Sequence, residues 1–265
     1  MPALGMGTHR IPDLDLPEVV RAAAGHGYRM IDTATAYGNE RGVGEGIRRA
    51  GLPREDFFVV SKLAGRDQGY DSALRGFEAS LRRTGLDYLD LYLVHWPMPA
   101  RGRYADTWRA FVRLLDEGRV RAIGVSNFLP EHIDRINDET GVLPAVNQIQ
   151  IDPRVTQRPW RTYAARRRIV VQSWSPLGAG GPLLGDPVVR TVAARHGVTP
   201  AQAVLRWHLE LGLVPIVKSA DPARLAENAA VFSSGHFALD DADRATLAEL
   251  DGTRTPMDPA VFEED

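Results

Sequence analysis

The stretch FFVVSKLAGRDQGYDSALRGFEASLRRTG, Phe57 to Gly85, contains one complete repeating unit of the fold. It begins with a short and nearly continuous apolar run, which is typical of a strand buried on both faces. From Tyr70 the apolar residues recur at the spacing of one helix face, and a glycine follows them, as is common at the C-terminus of a helix. The stretch therefore predicts a β-strand, a loop and an α-helix in that order.

The same unit recurs along the chain. Seven further apolar runs predict strands: PALGMG, YRMID, LDLYLVH, VRAIGVSN, AVNQIQI, RIVVQSWS and LVPIVKS. Other helical patterns that end in glycine begin at Leu16, Tyr104 and Thr199, and the last has threonine as N-cap followed by proline. Eight strands that alternate with helices in about 250 residues predict one α/β domain, a (β/α)8 TIM barrel that spans residues 1–265.

An open, doubly wound parallel sheet is the alternative arrangement of such units. It requires a glycine-rich phosphate-binding fingerprint in an early turn between strand and helix. The candidate GVGEG, Gly42 to Gly46, has the wrong spacing and does not directly follow a strand. We therefore favour the barrel and interpret these glycines as part of an adaptable helix entrance.

The composition restricts the classes of function. Apolar residues make up 44% of the chain and charged residues 25%, and a net charge of -2 gives no electrostatic reason to bind nucleic acid or an anionic membrane. The absence of cysteine excludes disulfides, thiolate nucleophiles and thiolate metal sites. No apolar run approaches the roughly 18–20 residues of a membrane span, and the N-terminus lacks the features of a secretion signal. We expect a cytoplasmic monomer that acts on a small molecule.

Four polar side chains lie where consecutive predicted strands end. Asp32 ends the second strand, Lys62 the third and His95 the fourth, and Tyr37 lies in the loop after the second strand. The active sites of such barrels lie at the carboxyl ends of the strands, and neighbouring strands are about 5 Å apart. We therefore expect the four side chains to meet at one mouth of the barrel.

This cluster has the parts of a proton donor. A free tyrosine titrates near pH 10, which is too high for an efficient acid at neutral pH. We expect Lys62 to lower the pKa of Tyr37 by stabilising the phenolate, and Asp32 to keep Lys62 charged and oriented. His95 can hydrogen-bond the same substrate oxygen. A tyrosine that polarises a carbonyl makes it a hydride acceptor, and the hydride is then expected from a nicotinamide cofactor.

The later strand ends supply candidate contacts for this cofactor. Hydroxyl and amide groups occur at Ser126, Asn127 and Gln148, and Trp174 offers a flat aromatic face beside a flexible glycine loop.

A cationic pocket is predicted after the eighth strand. Lysine occurs only at Lys62 and Lys218, which suggests that both positions need a compact ammonium that arginine cannot replace. Lys218, Ser219 and Arg224 surround a predicted helix start, and this combination suits a phosphate group.

With these motifs in place, the sequence resembles the aldo-keto reductase family over nearly its whole length. The shared motifs, in the family's order and spacing, are DTATAYGNE, SKL, LDLYLVHWP, GVSNF, VNQIQ, SWSPLG and KSADPARLAEN. The resemblance implies reduction of an aldehyde or ketone to an alcohol by NADPH. It implies a catalytic tetrad in which Tyr37 is the acid and His95 orients the carbonyl, with Asp32 and Lys62 as the other members.

The resemblance also implies the cofactor contacts. Those expected for the nicotinamide, with Trp174 stacked on the ring, are Ser126, Asn127, Gln148 and Trp174. Further cofactor contacts are expected at Ser175, Leu177 and Gly178. Those expected for the adenosine half are Lys218, Ser219 and Arg224 at the 2′-phosphate and Glu227 and Asn228 at the adenine. A tryptophan in the stacking position is most similar to the bacterial 2,5-diketo-D-gluconate reductase branch.

The sequence departs from the family pattern at several places. A β-hairpin usually closes the barrel floor before the first strand, but here the chain starts at that strand, so the floor is open or the start is misassigned. His9 stands where many relatives carry an aromatic pocket wall, which predicts a more polar pocket, and Trp96 is interpreted as another wall. The tail after Asp251 is short, which predicts an abbreviated substrate loop and a broad pocket.

Two other functions stay open at this stage. A metal-dependent barrel hydrolase could use His9, Asp32, His95 and a modified Lys62 as ligands, but the later predicted strands do not end in further histidines. A non-catalytic NADPH-binding sensor or partner subunit could keep the same tetrad. Loss of activity with a chelator would indicate the hydrolase, and cofactor binding without turnover would indicate the sensor.

Overall fold

Eight parallel strands close into a barrel in the computed structural model, which describes residues 1–232 and 237–264. The strands are β1 (Gly5–Gly7), β2 (Met30–Asp32), β3 (Phe58–Leu63), β4 (Leu91–Val94), β5 (Ile123–Ser126), β6 (Val146–Gln150), β7 (Val170–Trp174) and β8 (Val214–Lys218). Each strand pairs in parallel with the next, and β8 pairs with β1. Each falls on one of the predicted apolar runs, and the predicted (β/α)8 TIM barrel is confirmed.

Helices occupy the connections between the strands. In the described part of the chain they are α1 (Leu16–Gly25), α2 (Glu40–Arg49), α3 (Tyr70–Thr84), α4 (Tyr104–Asp116), α5 (Pro130–Thr140), α6 (Arg158–Arg166), α7 (Pro187–Arg195), α8 (Pro200–Glu210), α9 (Pro222–Ala229) and α10 (Asp241–Ala248). The helices predicted to begin near Leu16, Tyr70, Tyr104 and Thr199 are confirmed as α1, α3, α4 and α8. The predicted N-cap of α8 is present, since the Thr199 hydroxyl oxygen accepts a hydrogen bond from Gln202 N at 3.2 Å. No helix among these is long and apolar enough to cross a membrane.

The chain reaches β1 without a hairpin in the described residues. Residues 1–4 form no strand, and Gln172 Nε2 lies 3.3 Å from the sulfur of Met1. Gln172 also contacts the side chains of Met30 and Gln148, which point into the barrel from β2 and β6. Met1 therefore covers part of the barrel floor.

The barrel interior has an apolar lower layer and a polar upper layer. One buried cluster inside the barrel includes Met30, Val60, Leu93, Val146 and Ile216. Successive side chains of a strand point to opposite faces, so that residues two positions apart share a face. Two positions beyond these five residues the chain carries Asp32, Lys62, His95, Gln148 and Lys218. The alternation therefore directs these polar side chains to the barrel axis, above the apolar layer.

The glycines of α2 serve helix packing, and their interpretation as a helix entrance is wrong. A Cβ atom at Gly44 would lie 1.7 Å from the carbonyl oxygen of Thr84, and one at Gly46 would lie 2.6 Å from Val20 Cβ. Protein interiors are close-packed, and no side chain fits into gaps this small. These glycines therefore allow α2 to lie directly against α1 and the C-terminal end of α3.

We expect Gly44→Ala to destabilise the protein by about 1–3 kcal/mol, the usual cost of overpacking, because the added methyl group would overlap the Thr84 carbonyl. Gly25→Ala is the matched control, since Gly25 also lies in a helix and a Cβ atom there meets nothing within 4 Å. The control should leave stability unchanged or raise it by up to about 1 kcal/mol. Urea denaturation measures both changes, and equal stabilities of the two variants would contradict the close packing.

Candidate active site

The carboxyl ends of the strands surround a cavity of about 730 Å³. Most of the residues singled out from the sequence line it: His9, Asp32, Tyr37, His95, Trp96, Ser126, Asn127, Gln148, Trp174, Ser175, Leu177, Lys218 and Arg224. Lys62 lies behind the wall, fully buried. The predicted cofactor residues that do not line the cavity are Gly178, Ser219, Glu227 and Asn228.

A buried ion pair stands at the base of the cavity. Lys62 Nζ lies 2.5 Å from Asp32 Oδ1 and donates to the carbonyl oxygen of Thr33 at 3.0 Å. The hydroxyl of Tyr37 lies 3.5 Å from the same Nζ. The second oxygen of Asp32 accepts a hydrogen bond from Gln148 Nε2 at 2.8 Å. Strands β2, β3 and β6 therefore hold the ammonium against the phenol.

The electrostatics keep Lys62 charged and Tyr37 protonated. Burial is the largest single effect and disfavours the ammonium, but Asp32 and Tyr37 together outweigh it and hold the pKa of Lys62 above its ordinary value. Burial also raises the pKa of the Tyr37 hydroxyl, and the opposing effect of Lys62 is smaller. The expected net lowering of the tyrosine pKa is therefore wrong. Tyr37 retains its proton at neutral pH, which a proton donor requires.

The turn that carries Tyr37 is fixed by Asn39, which the sequence analysis did not identify. Residues Thr35–Tyr37 form a single 3₁₀ turn, which Gly38 ends in the left-handed region at φ 68°. Asn39 Nδ2 donates to the carbonyl oxygen of Thr8 at 2.9 Å, and its Oδ1 accepts from the Thr33 hydroxyl at 2.8 Å. The amide thus ties the turn to the end of β1.

A buried glutamate fixes the same turn from the other side. Glu40, the first residue of α2, is 1% exposed and accepts hydrogen bonds from the Ser61 hydroxyl at 2.6 Å and from Arg83 Nε at 2.5 Å. Arg83 Nη2 also donates to the Thr35 hydroxyl at 3.0 Å. The turn is therefore connected to both β3 and α3.

Two histidines lie on either side of the Tyr37 ring. His95 meets it edge to face with ring centroids 5.7 Å apart, and the His9 ring lies at 4.9 Å. Burial, together with the charges of Arg10 and Lys62, lowers the pKa of His9, so that this imidazole is neutral at pH 7. Tyr37 and both imidazoles therefore face one region of the cavity.

Asn127 organises the part of the cavity near β5 and β7. It adopts a left-handed backbone conformation at φ 62°, and its Nδ2 donates to the carbonyl oxygen of His95 at 3.1 Å. Trp174 Nε1 donates to Asn127 Oδ1 at 2.8 Å, while the Ser126 hydroxyl donates to the carbonyl oxygen of Gln148 at 2.8 Å. The indole is thus fixed as one wall of the cavity.

Three basic side chains lie at or just beyond the ends of β8 and β1. Lys218, Arg224 and Arg10 all line the cavity and are exposed, and Arg10 is a residue that the sequence analysis missed. Ser219 accepts a hydrogen bond from Asp221 N and so shapes the start of α9. Such cations beside a helix start suit an anionic group.

The buried part of α9 lies next to this region. Asn228 is 4% exposed and lies beside the hydroxyl of Tyr28, while the backbone oxygen of Glu227 accepts a hydrogen bond from Gln202 Nε2 at 3.0 Å. Gly178, in the loop after β7, adopts φ 78° and lies close to Leu183.

The C-terminal tail supplies three walls that the sequence analysis did not name. Met257, Phe262 and Glu264 line the cavity. The Phe262 ring stacks on Trp96 with centroids 3.9 Å apart. No local pattern in the sequence could have located these residues, because their contacts are with residues more than 100 positions away. The tail therefore reaches the rim of the cavity, while its role as an abbreviated substrate loop stays a prediction.

The candidate site contains no evident place for a metal ion. In residues 1–232 and 237–264 there is no group of three or more histidine, aspartate or glutamate side chains placed to hold one. The side chains considered as metal ligands of a barrel hydrolase make other contacts. Asp32 forms an ion pair with Lys62, and the His9 ring packs on Tyr37.

Comparisons with known proteins agree with this arrangement. An aldo-keto reductase of Mycolicibacterium smegmatis is 48% identical over 263 residues, which cover 99% of this chain and 94% of that protein. The methylglyoxal reductase DkgA of Salmonella typhimurium is 44% identical over 264 residues, which also cover 99% and 94%. A crystal structure of a Gox0644 variant in complex with NADPH superimposes with a TM-score of 0.93 at 45% identity, covering 99% of this chain and 95% of that one.

The family assignment follows from the extent of these matches. The model of the Aldo/keto reductase family matches residues 2–251. That range contains all eight strands and every residue of the predicted tetrad. The resemblance seen in the sequence motifs is confirmed, and the chain belongs to the aldo/keto reductase family.

Proposed function

We propose that this protein reduces an aldehyde or ketone to an alcohol with NADPH, and that Tyr37 is the proton donor. Family membership establishes an oxidoreductase, and NADPH is the cofactor, as in the Gox0644 complex. The observation that carries the role of Tyr37 is its hydroxyl 3.5 Å from a fully buried ammonium, at the wall of the cavity.

Each member of the tetrad has a distinct part in this proposal. The bound nicotinamide supplies a hydride to the carbonyl carbon. As negative charge develops on the oxygen, Tyr37 donates its proton to it and becomes a phenolate. Lys62 stabilises the phenolate because Asp32 keeps the ammonium charged and in place. His95 lies against Tyr37 and hydrogen-bonds the same oxygen, which fixes the orientation of the carbonyl.

The cofactor contacts stay as the sequence predicts them. Trp174, held by Asn127, offers an aromatic face for the nicotinamide ring. The other proposed contacts of the nicotinamide are Ser126, Asn127 and Gln148, and Ser175, Leu177 and Gly178 are proposed as further cofactor contacts. The proposed contacts of the adenosine half are Lys218, Ser219 and Arg224 at the 2′-phosphate and Glu227 and Asn228 at the adenine. The exposed cations at the β8 end of the cavity support the phosphate assignment.

The natural substrate, the cellular location and the oligomeric state of the protein stay predictions. Methylglyoxal, for which the DkgA relative is named, is one candidate substrate because it is a small carbonyl compound. The similarity to the diketogluconate reductase branch rests on Trp174 alone. We propose that His9 and Trp96 line the substrate side of the pocket, and that the protein acts as a cytoplasmic monomer.

We expect Tyr37→Phe to lower kcat for carbonyl reduction by about 10²–10⁴-fold, the usual contribution of a positioned acid, and to leave the Kd for NADPH nearly unchanged. The assay follows NADPH consumption with a panel of aromatic aldehydes, sugar ketones and steroids. Tyr70→Phe, which removes a hydroxyl on α3 outside the cavity, is the matched control. If the unchanged protein binds NADPH but reduces nothing in the panel, the sensor function is favoured instead.

The pH dependence of reduction follows from the raised pKa of Tyr37. The donor form is the protonated phenol, which predominates below the pKa, so a raised pKa extends activity to higher pH. We expect kcat to stay level through neutral pH and to fall only above about pH 10, the ordinary value for tyrosine. Initial rates at saturating NADPH measure this, with circular dichroism at each pH as the control for folding. A fall centred near neutral pH would assign the proton to another group.

Lys218 and Arg224 should distinguish the two nicotinamide cofactors. We expect Lys218→Met or Arg224→Met to raise KM for NADPH by about tenfold or more, because a charge-assisted hydrogen bond contributes roughly 1.5–3 kcal/mol. NADH lacks the 2′-phosphate and is the internal control, so its KM should hardly change. An equal rise of KM for both cofactors would contradict the assignment of Lys218 and Arg224 to the 2′-phosphate.

A further inference from the structure

The C-terminal strap, residues 251–264, crosses the mouth of the barrel and is attached on both sides. Its first half is tied to the loop after β6: Asp251 accepts from the Thr156 hydroxyl at 2.7 Å, and Arg254 Nη1 donates to the buried Asp152 at 3.0 Å. Its second half lies on the loops after β3 and β4, where Phe262 stacks on Trp96. The strap thus carries its last described residue into the cavity.

That residue is Glu264, whose two carboxylate oxygens each make a close contact with the loops after β3 and β4. Oε1 lies 2.5 Å from Nδ1 of His95, and Oε2 accepts a hydrogen bond from Gly65 N at 2.6 Å. The side chain is only 11% exposed. Its charge reaches the catalytic phenol as well, since it adds to the factors that raise the pKa of Tyr37. A fixed negative charge therefore stands against the histidine assigned to the substrate oxygen.

The positive groups of the cavity lie elsewhere or are already paired. Lys218 ends β8, Arg224 follows it and Arg10 follows β1, whereas the loops that hold Glu264 follow β3 and β4. Lys62 is paired with Asp32. Arg101 pairs with the carboxylate of Glu263 at the rim, and it also donates to the backbone oxygen of Glu264 at 3.3 Å, but it forms no ion pair with the Glu264 carboxylate. A substrate beside His95 therefore meets the field of the Glu264 carboxylate, with which no lysine or arginine of the described residues forms an ion pair.

We propose that Glu264 is a specificity-determining residue that disfavours carbonyl substrates with a carboxylate or phosphate group near the carbonyl and favours neutral or cationic ones. This inference rests on the proposed function, because it assumes that the carbonyl binds between Tyr37 and His95. Like charges close together in a site of low dielectric repel strongly, and such repulsion selects between substrates of equal size.

A charge series of equal-sized aldehydes tests the proposal. The substrates are benzaldehyde, 4-carboxybenzaldehyde and 4-(trimethylammonio)benzaldehyde, and kcat/KM is measured for the unchanged protein, Glu264→Gln and Glu263→Gln. In Glu264→Gln we expect kcat/KM for the carboxylated aldehyde, relative to benzaldehyde, to rise by about tenfold, as one unit charge at partly screened distance implies. The relative value for the cationic aldehyde should fall.

Glu263→Gln is the matched control, since it removes the same charge from the neighbouring residue at the rim and should leave both ratios unchanged. Equal ratios in all three proteins would overturn the proposal, as would a preference of the unchanged protein for the carboxylated aldehyde that Glu264→Gln does not alter. If the unchanged protein binds NADPH but reduces none of the three aldehydes, the failure belongs to the proposed function. Glu264→Asp, which keeps the charge, should retain the original preference.

Discussion

A charged lysine enclosed within the barrel is the constraint on which the rest of this site depends. An isolated ammonium in such a position is strongly unfavourable, and removing one partner of a buried ion pair costs about 3–5 kcal/mol. Lys62 is stable there because Asp32 neutralises it and the Thr33 carbonyl accepts a further hydrogen bond. The parallel register of β2 and β3 sets this arrangement, since it aligns Asp32 with Val60, two residues before Lys62.

The position of the Tyr37 phenol depends on this pair and on the turn that follows it. The short segment from Thr33 to Asn39 leaves β2 and returns the Tyr37 hydroxyl over the ammonium. Small side chains allow this return, but they do not hold the turn in place. Asn39 and Glu40 do so, through the end of β1 on one side and through β3 and α3 on the other. The phenol is therefore placed by polar contacts with three separate parts of the barrel.

The fold and the composition of the polar centre could be predicted from the sequence because both depend on local periodicity. Apolar runs located the strands, and their ends located Asp32, Lys62, His95 and Gln148 by a rule that all parallel barrels share. The pKa of Tyr37 could not be predicted, because its direction depends on how far burial outweighs the neighbouring cation. The role of Gly44 required knowledge of which helix lies against α2, and the position of Glu264 required the path of a tail without regular structure.

The Tyr37 turn and the C-terminal strap, which both border the mouth of the barrel, are attached to it in different ways. The turn with Tyr37 is bounded by Asp32 and Glu40, both buried and paired, so that an insertion or deletion between them would misalign the Tyr37 phenol. The strap is joined to the barrel through loops, and it ends on the ring of His95 without contributing to the ion pair beneath. With the role that we propose for Glu264, inherited changes in residues 251–264 would alter which molecules enter while the ion pair persists, and new substrate ranges in descendants of this gene are expected to arise there first.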